Sequence, residues 1–488
     1  MDKPNIVVLM NDHQAFYRHG WDDGVRPLRP NFDQLAEEGI EFEEAYSACP
    51  LCGPVRRSMI NGQYPHVHGH LYNDSAVPYN EESYLNILAD HGYKNYYVGK
   101  WHAGEKPEIK AHQCEGFTDS GYGNPYKLEE YKKYCEKMNL EPAKHLVEID
   151  FTGERLRGNF PSLKEGELYQ SLTDGIFEEA AGVTVTPKES HESYFIAYSA
   201  CDFLEKHVKE KTESPFCLNV HFWGPHQPFF PTQEFIDMYD PDEIQLYRSI
   251  TDQLENRAEV NKTEATRLGD SSYKIICPSV FDEKRWKRAL QLAYAQQTML
   301  DDAAGVVLKR IKELGLEDNT IIIYATDHGD ALGSHGGHFD KCSYLTQEVL
   351  RIPMAMKWKG RIKGGFKSKA LVSNLDIPST ILDCAGLTFR QRVQSKSLLP
   401  IARGEKGTER EYFVSETAGH GYIERINGRA LMCGDYKYIW YEDQMEELYN
   451  LKEDPYELIN LAVNEAFINI KNEMADKLKA WRTETNDK

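Results

Sequence analysis

The 488-residue sequence has no apolar run of membrane-spanning length, so no membrane partner is expected. Met1-Asp2-Lys3-Pro4-Asn5 leads straight into a strand pattern, without an apolar signal segment or a cleavage site. A cytoplasmic protein is expected on that ground, a processed secreted or periplasmic chain being the other option. Basic residues are in deficit: 57 Lys and Arg face 77 Asp and Glu, a net charge of −20. No basic stripe or domain is present, which argues against nucleic acid as a partner. An anionic small substrate stays open, because a few local cations and a metal reverse the field inside one pocket. A disulfide framework is also missing. Ten cysteines are scattered from Cys49 to Cys433, a usage that suits a reducing compartment. There is no internal repeat and no low-complexity tract, and nothing sets an oligomeric state.

What is present is an ordinary globular composition, 41% apolar and 27% charged, enough for one large domain and a smaller one. Short apolar runs at Asn5 to Met10, Lys94 to Val98, Phe216 to Phe222 and Thr320 to Ala325 read as buried strands. Ile40 to Tyr46, Pro353 to Trp358 and Ala370 to Asn374 add more. Helical patterns run over 30–39, 83–91, 193–209, 284–314 and 377–385. Strand and helix alternate, so the fold class is α/β with a large, mostly parallel sheet flanked by helices. Two irregular stretches, about 104–187 and 232–282, read as insertions. After about residue 388 the pattern changes to short strands separated by Asn427-Gly428 and Gly434-Asp435, then an amphipathic helix near 464–481. The expected division is a catalytic domain over 1–387 and a smaller α+β subdomain over 388–488, an antiparallel sheet with a closing helix.

Cys49-Pro50-Leu51-Cys52-Gly53-Pro54-Val55-Arg56-Arg57 follows a strand and enters a short helix that stops at Gly62. Pro54 suits a first helical turn, where its missing N–H has no partner to lose. Cys52 therefore sits at a helix N-terminus with two arginines close behind, a setting that attracts anions and lowers a thiol's pKa. Read as a Cys-x-x-Cys redox or zinc pair, the segment has no second pair and no role for Pro54 or Arg56. His66, His68 and His70 alternate and offer either metal ligands or loop histidines that orient the site.

Several strands end in polar clusters: Asp12, Lys100 with His102, His226, and Asp327 with His328. In an α/β sheet the carboxyl ends of parallel strands carry the ligand site, and these residue types together describe a catalytic rim. Asp12, Asp327 and His328 suit a divalent cation. Two carboxylates favour Ca2+ or Mg2+, and the histidine leaves Mn2+ or Zn2+ open. Each aspartate alone also fits a helix N-cap.

Cys52-Gly53-Pro54-Val55-Arg56 resembles the C-x-P-x-R signature of type I sulfatases of the alkaline phosphatase superfamily. So does its continuation through Gly62-Gln63-Tyr64-Pro65-His66. The resemblance extends to Pro4-Asn5-Ile6 leading to Asp12, Gly99-Lys100-Trp101-His102, Pro225-His226-x-Pro228, and Asp327-His328-Gly329 through His335-Gly336 to Lys341. Glu447-Leu448-Tyr449-Asn450-Leu451 with Asp454-Pro455 resembles the family's closing motif. It implies an alkaline-phosphatase-like fold and hydrolysis of a sulfate ester, most often on a sugar or glycosaminoglycan fragment. It implies a maturation enzyme that oxidises Cys52 to 3-oxoalanine (formylglycine). A hydrated aldehyde has two hydroxyls: one attacks sulfur, and the other loses its proton so that sulfate leaves. By matching position, Asp12, residue 52, Asp327 and His328 hold a divalent metal, Ca2+ by implication. Arg56 supports the formylglycine, and Lys100 and Lys341 bind sulfate oxygens. His102 is the base for sulfate release and His226 the acid for the leaving oxygen, alone or with Lys341. Asn73 is a candidate hydrogen-bond donor on the sulfate or metal side, a turn residue being the alternative.

The sequence departs from the pattern at His13, where many members carry a second aspartate; His13 is a candidate ligand or pocket residue. Two rivals follow: a phosphonate monoester or phosphodiester hydrolase using the same formylglycine, and a silent binder of sulfated glycans with Cys52 unconverted. The insertions, with residues such as Tyr122, Arg155 and Arg157, are the expected source of substrate selectivity.

Overall fold

The computed structural model describes residues 3–16, 24–73, 75, 77–104, 109–119, 123–151, 164–170, 180–211, 213–266, 281–341, 343–419 and 426–488. Its centre is the strand Asn5–Asp12, paired in parallel with Thr320–Thr326 on one side and with Phe216–Pro225 on the other. Both faces of this strand are covered, which is why it is apolar almost throughout rather than alternating. The two-residue side-chain period divides it between two cores. Ile6, Val8 and Met10 join one apolar cluster, and Val7 and Leu9 join the other.

The full sheet has eight strands in the order Phe366–Ser368, Ile40–Phe42, Ala355–Trp358, Thr320–Thr326, Asn5–Asp12, Phe216–Pro225, Lys94–Gly99 and Cys114–Phe117. Only Ala355–Trp358 runs against its neighbours. Helices Pro30–Glu37, Glu192–Lys209 and Glu283–Glu313 cover the Val7–Leu9 face through residues such as Phe32, Leu35, Phe195, Leu292 and Met299. Helices Cys52–Asn61, Tyr84–Asp90 and Ile377–Cys384 cover the other.

Tyr412–Thr417, Gly428–Cys433, Tyr436–Tyr441 and Glu447–Asn450 form a four-stranded antiparallel meander. Its Leu431, Ile439 and Leu448, with Met474 and Trp481 of the closing helix Ile468–Thr485, belong to the same apolar core as Ile6 and Val55. The fold is thus the expected α/β arrangement with a smaller antiparallel sheet and closing helix.

Three local features differ from the sequence reading. Ile40 to Tyr46 is two strands: Ile40–Phe42 stays in the main sheet, while Ala45–Tyr46 pairs with Val372–Ser373. The first irregular stretch, an insertion expected to hold some helix, carries helix Glu129–Met138 but also an unexpected antiparallel sheet of Leu168–Tyr169, His145–Asp150 and Ala180–Thr184. It also supplies the edge strand Cys114–Phe117. Among the described residues no helix is long and apolar enough to cross a membrane.

Candidate active site

Four adjacent parallel strands, Thr320–Thr326, Asn5–Asp12, Phe216–Pro225 and Lys94–Gly99, end on the same edge of the sheet. Asp12, Lys100, His226, Asp327 and His328 all sit at or just beyond those ends. The helix Cys52–Asn61 brings Cys52, its first residue, to the same point. Every one of these side chains is buried.

One ligating atom each from Asp12, Cys52, Asp327 and His328 lies within 4.8 Å of the others. Cys52 Sγ is 3.0 Å from His328 Nε2 and 3.9 Å from Asp12 Oδ1. His328 Nδ1 lies 2.9 Å from the Gly329 carbonyl. A proton donated there leaves Nε2 as the lone pair turned to the cluster, the usual way a ligating imidazole is oriented. Asp327 is fixed just as firmly: its Oδ1 accepts from the backbone N–H groups of His13 and His328, each at 2.9 Å. Its main-chain carbonyl accepts from Ser47 Oγ and Asn374 Nδ2, each at 2.6 Å.

Arg56 is the keystone of the cluster. It is the fifth residue of the helix and is 2% exposed. Its Nε donates to Asp327 Oδ2 at 2.8 Å, its Nη2 to Asp12 Oδ2 at 3.0 Å and its Nη1 to the Lys100 carbonyl at 2.9 Å. One planar fork thus spans both carboxylates, which a lysine has no geometry to do. Lys100 Nζ is 2.5 Å from the same Asp12 oxygen.

The protonation pattern follows from burial. The Cys52 thiol is pushed up to about 12 by burial and then by the Asp12 charge. This corrects the local reading of a thiol activated by its helix: desolvation and a facing carboxylate outweigh the helix dipole. Burial raises Asp327, but His328 and Arg56 prevail and hold it below the usual carboxylate range. His102 and His226 are held neutral, each chiefly by burial and then by its lysine neighbour, Lys100 or Lys341. Burial opposes the Lys341 charge, but Asp340, with Asp12 behind it, outweighs burial and keeps it cationic.

His226 and Lys341 meet directly. Lys341 Nζ is 2.9 Å from His226 Nε2, and His226 Nδ1 is 2.8 Å from the Gln227 carbonyl. Asp340 Oδ1 accepts from Lys341 at 2.9 Å. His13 stands outside the four-atom group. It adopts φ 69°, and its Nε2 lies 3.3 Å from Asp340 Oδ1 and 3.6 Å from Asp330 Oδ2. Its ring is 4.6 Å from that of His226 and 4.8 Å from that of His328. Asn73 lies beside the start of the signature helix, where its Oδ1 accepts from Gly53 N at 2.9 Å.

Of the alternating histidines, His68 meets Ser58 Oγ at 3.0 Å and His66 meets Glu416, so both are structural. Tyr122, Arg155 and Arg157 lie outside the described residues. Sequence reasoning missed Asp330, Asp340 and His221, whose Nδ1 lies 3.2 Å from Arg56 Nη1. The first two carry a signal in hindsight, since they flank His328 and Lys341 in the chain. His221 is one more polar residue inside an apolar strand and carries none.

The residues fit a divalent cation. Two carboxylates and a turned imidazole converge with residue 52, and the second oxygens of both carboxylates are taken by Arg56. With Lys100 and Lys341 beside it, the cluster has the donors to hold a divalent cation and the cations to bind an anion, at the carboxyl edge of the main parallel strands.

Comparison with known proteins agrees. The Sulfatase family model matches residues 4–387, and the model named N-sulphoglucosamine sulphohydrolase, C-terminal, matches residues 333–484. An N-acetylglucosamine-6-O-sulfatase of Bacteroides thetaiotaomicron is 26% identical, over 94% of this chain and 82% of that protein. An arylsulfatase of Clostridium perfringens is also 26% identical, over 95% of this chain and 91% of its own. A solved structure in complex with its substrate D-glucosamine-2-N,6-O-disulfate shares the fold with TM-score 0.72 and 22% identity, covering 99% and 98% of the two chains. A phosphonate monoester hydrolase of Agrobacterium radiobacter does so with TM-score 0.79 and 17% identity, covering 99% and 96%. The chain belongs to the sulfatase family of the alkaline phosphatase superfamily. The named sulfatase and arylsulfatase relatives make the chain a sulfuric ester hydrolase, and the family implies a metal and a formylglycine.

Proposed function

We propose that this chain hydrolyses the sulfate ester of a small sulfated carbohydrate, with Ca2+ as its metal and Cys52 converted to formylglycine by a maturation enzyme. The observation that carries the reading is the convergence of Asp12, residue 52, Asp327 and His328 within 4.8 Å, ringed by Lys100, Lys341 and His226. The metal and the formylglycine together supply a nucleophilic oxygen and a Lewis acid at residue 52. Everything else is done by the chain's own side chains. Arg56 fixes the two carboxylates. Lys100 and Lys341 bind sulfate oxygens and spread the charge that develops on them. The proton shared by Lys341 and His226 goes to the departing alcohol oxygen. Neutral His102 takes up a proton as sulfate is released. Asn73 steadies the start of the signature helix through Gly53 and offers its amide to the sulfate.

The carbohydrate class is supported by the names of relatives, among them the N-acetylglucosamine-6-O-sulfatase and an ulvan-active sulfatase of Formosa agariphila. Screening sulfated mono- and disaccharides against an aryl sulfate, with conversion of Cys52 verified, tests it. Turnover of no sugar sulfate above the aryl rate would overturn it.

One observation favours a second reading, a phosphonate monoester or phosphodiester hydrolase. The four-atom group holds only two carboxylates, and His13 stands where many sulfatases carry another. The ratio of sulfate monoester to phosphate diester turnover decides between them, and a large preference for the phosphorus ester would sink the sulfatase reading.

A further inference from the structure

Gln296 lies in the middle of the long helix Glu283–Glu313 and is 2% exposed. Its neighbours Leu292, Ala293, Ala295 and Met299 are packed into the core, so the helix is a fixed platform. The Gln296 carboxamide reaches across to the turn that follows strand Phe216–Pro225. Its Nε2 faces the carbonyls of His226 at 3.4 Å and Pro228 at 3.2 Å, and its Oε1 accepts from Phe230 N at 2.6 Å. One side chain thus satisfies three backbone groups in the five residues that begin with His226. A carboxamide is the group with an acceptor and two donors to do this.

That turn is not solidly packed. A small cavity of about 30 Å3 borders it, lined by His226, Pro228, Phe230 and Gln296 together with Glu192 and Tyr126, large enough for a water molecule. Packing alone therefore does not fix the turn. We propose that Gln296 is a positioning residue that holds His226 against Lys341 and so sets proton delivery to the leaving oxygen. The inference rests on the acid role of His226 given above, and its test separates the two.

A leaving oxygen that departs as a stable anion needs little protonation, whereas an alkyl or sugar alkoxide needs it fully. Gln296→Met keeps side-chain volume and removes all three bonds. The expected result is a loss of about 100-fold in kcat/KM on an alkyl or sugar sulfate, the size of effect a misplaced group produces. On 4-nitrophenyl sulfate the loss is expected to stay under about 5-fold, far short of a misplaced group's effect. Hydrogen exchange followed by mass spectrometry, which needs no turnover, is expected to show faster exchange in the peptide containing Phe230. Gln296→Glu keeps the acceptor for Phe230 N and loses the donors, so it is expected to keep that amide protected yet lose alkyl-sulfate activity. Equal losses on both esters, or unchanged exchange in Gln296→Met, would overturn the proposal. His226→Ala in the same assay tests the underlying reading. If it costs both esters alike, His226 is not the proton source, and exchange alone decides whether Gln296 holds the turn.

Discussion

Arg56→Met tests whether the cluster is held together by one guanidinium. Methionine is of similar length and fills much of the same space, so cavity terms are small. What is lost is the cation between Asp12 and Asp327, both fully buried. Removing one partner from a buried ion pair costs about 3–5 kcal/mol. Asp12 keeps Lys100 at 2.5 Å, and Asp327 keeps the backbone donors of His13 and His328. The cost therefore falls near the lower end, about 3 kcal/mol. A chain of 488 residues unfolds with an entropy of about 1 kcal/mol per kelvin. Tm is then expected to fall by about 3 °C in EDTA. Scanning calorimetry is the assay, because Arg56 also belongs to the C-x-P-x-R signature and its loss confounds turnover. Saturating Ca2+ brings positive charge to the same carboxylates and is expected to shrink the deficit. A Tm within about 1 °C of wild type in EDTA, or a deficit indifferent to calcium, would refute the reasoning.

Other outcomes follow from the same geometry. His66 Nδ1 lies 2.6 Å from Glu416 Oε2 and its Nε2 3.4 Å from the Thr485 carbonyl, so both ring nitrogens face acceptors. Burial and Arg429 oppose the charge, but Glu416 and Asp487 prevail and raise its pKa above 6.5. A raised folded-state pKa contributes stability that is full below the unfolded value and is lost as pH rises through the folded one. Melting curves above pH 6.5 should therefore fall more steeply for wild type than for His66→Gln; parallel slopes would contradict the pairing. Cys52→Ala should abolish turnover while keeping the fold, and circular dichroism with a turnover assay reads both. Lys341→Ala should lower kcat/KM by about 100-fold or more, within the range for a proton donor or charge stabiliser. A pure rise in KM would assign it to binding alone. Chelation should remove activity, and Ca2+ should restore it better than Mg2+ if the site's carboxylates select the larger ion.

The catalytic edge was legible because it rests on strong local signals. Apolar runs too short for core helices, each ending in Asp, Lys or His, mark buried parallel strands and the edge that carries chemistry. The structure brings Asp12, Lys100, His226, Asp327 and His328 to that edge. The split of Ile40 to Tyr46 was not legible, since both halves are buried and only the register with distant strands separates them. The edge strand Cys114–Phe117 was hidden by its glycine and its exposed Glu115. Gln296 reads in sequence as one more helix-compatible residue; its role depends on a turn 70 residues away in the chain. The Cys52 thiol shows the limit of local reasoning most clearly. Helix position argues for a lowered pKa, but complete burial beside Asp12 raises it, and only the tertiary structure brings that carboxylate to the thiol.

The most direct measurement is mass spectrometry of the peptide spanning residue 52, on protein made with and without a formylglycine-generating enzyme, paired with sulfate-ester turnover on the same samples. Turnover should rise in proportion to the fraction of Cys52 converted to the aldehyde, and vanish in fully thiol protein. Equal turnover in converted and unconverted samples, or conversion without any sulfate-ester hydrolysis, would contradict the assignment.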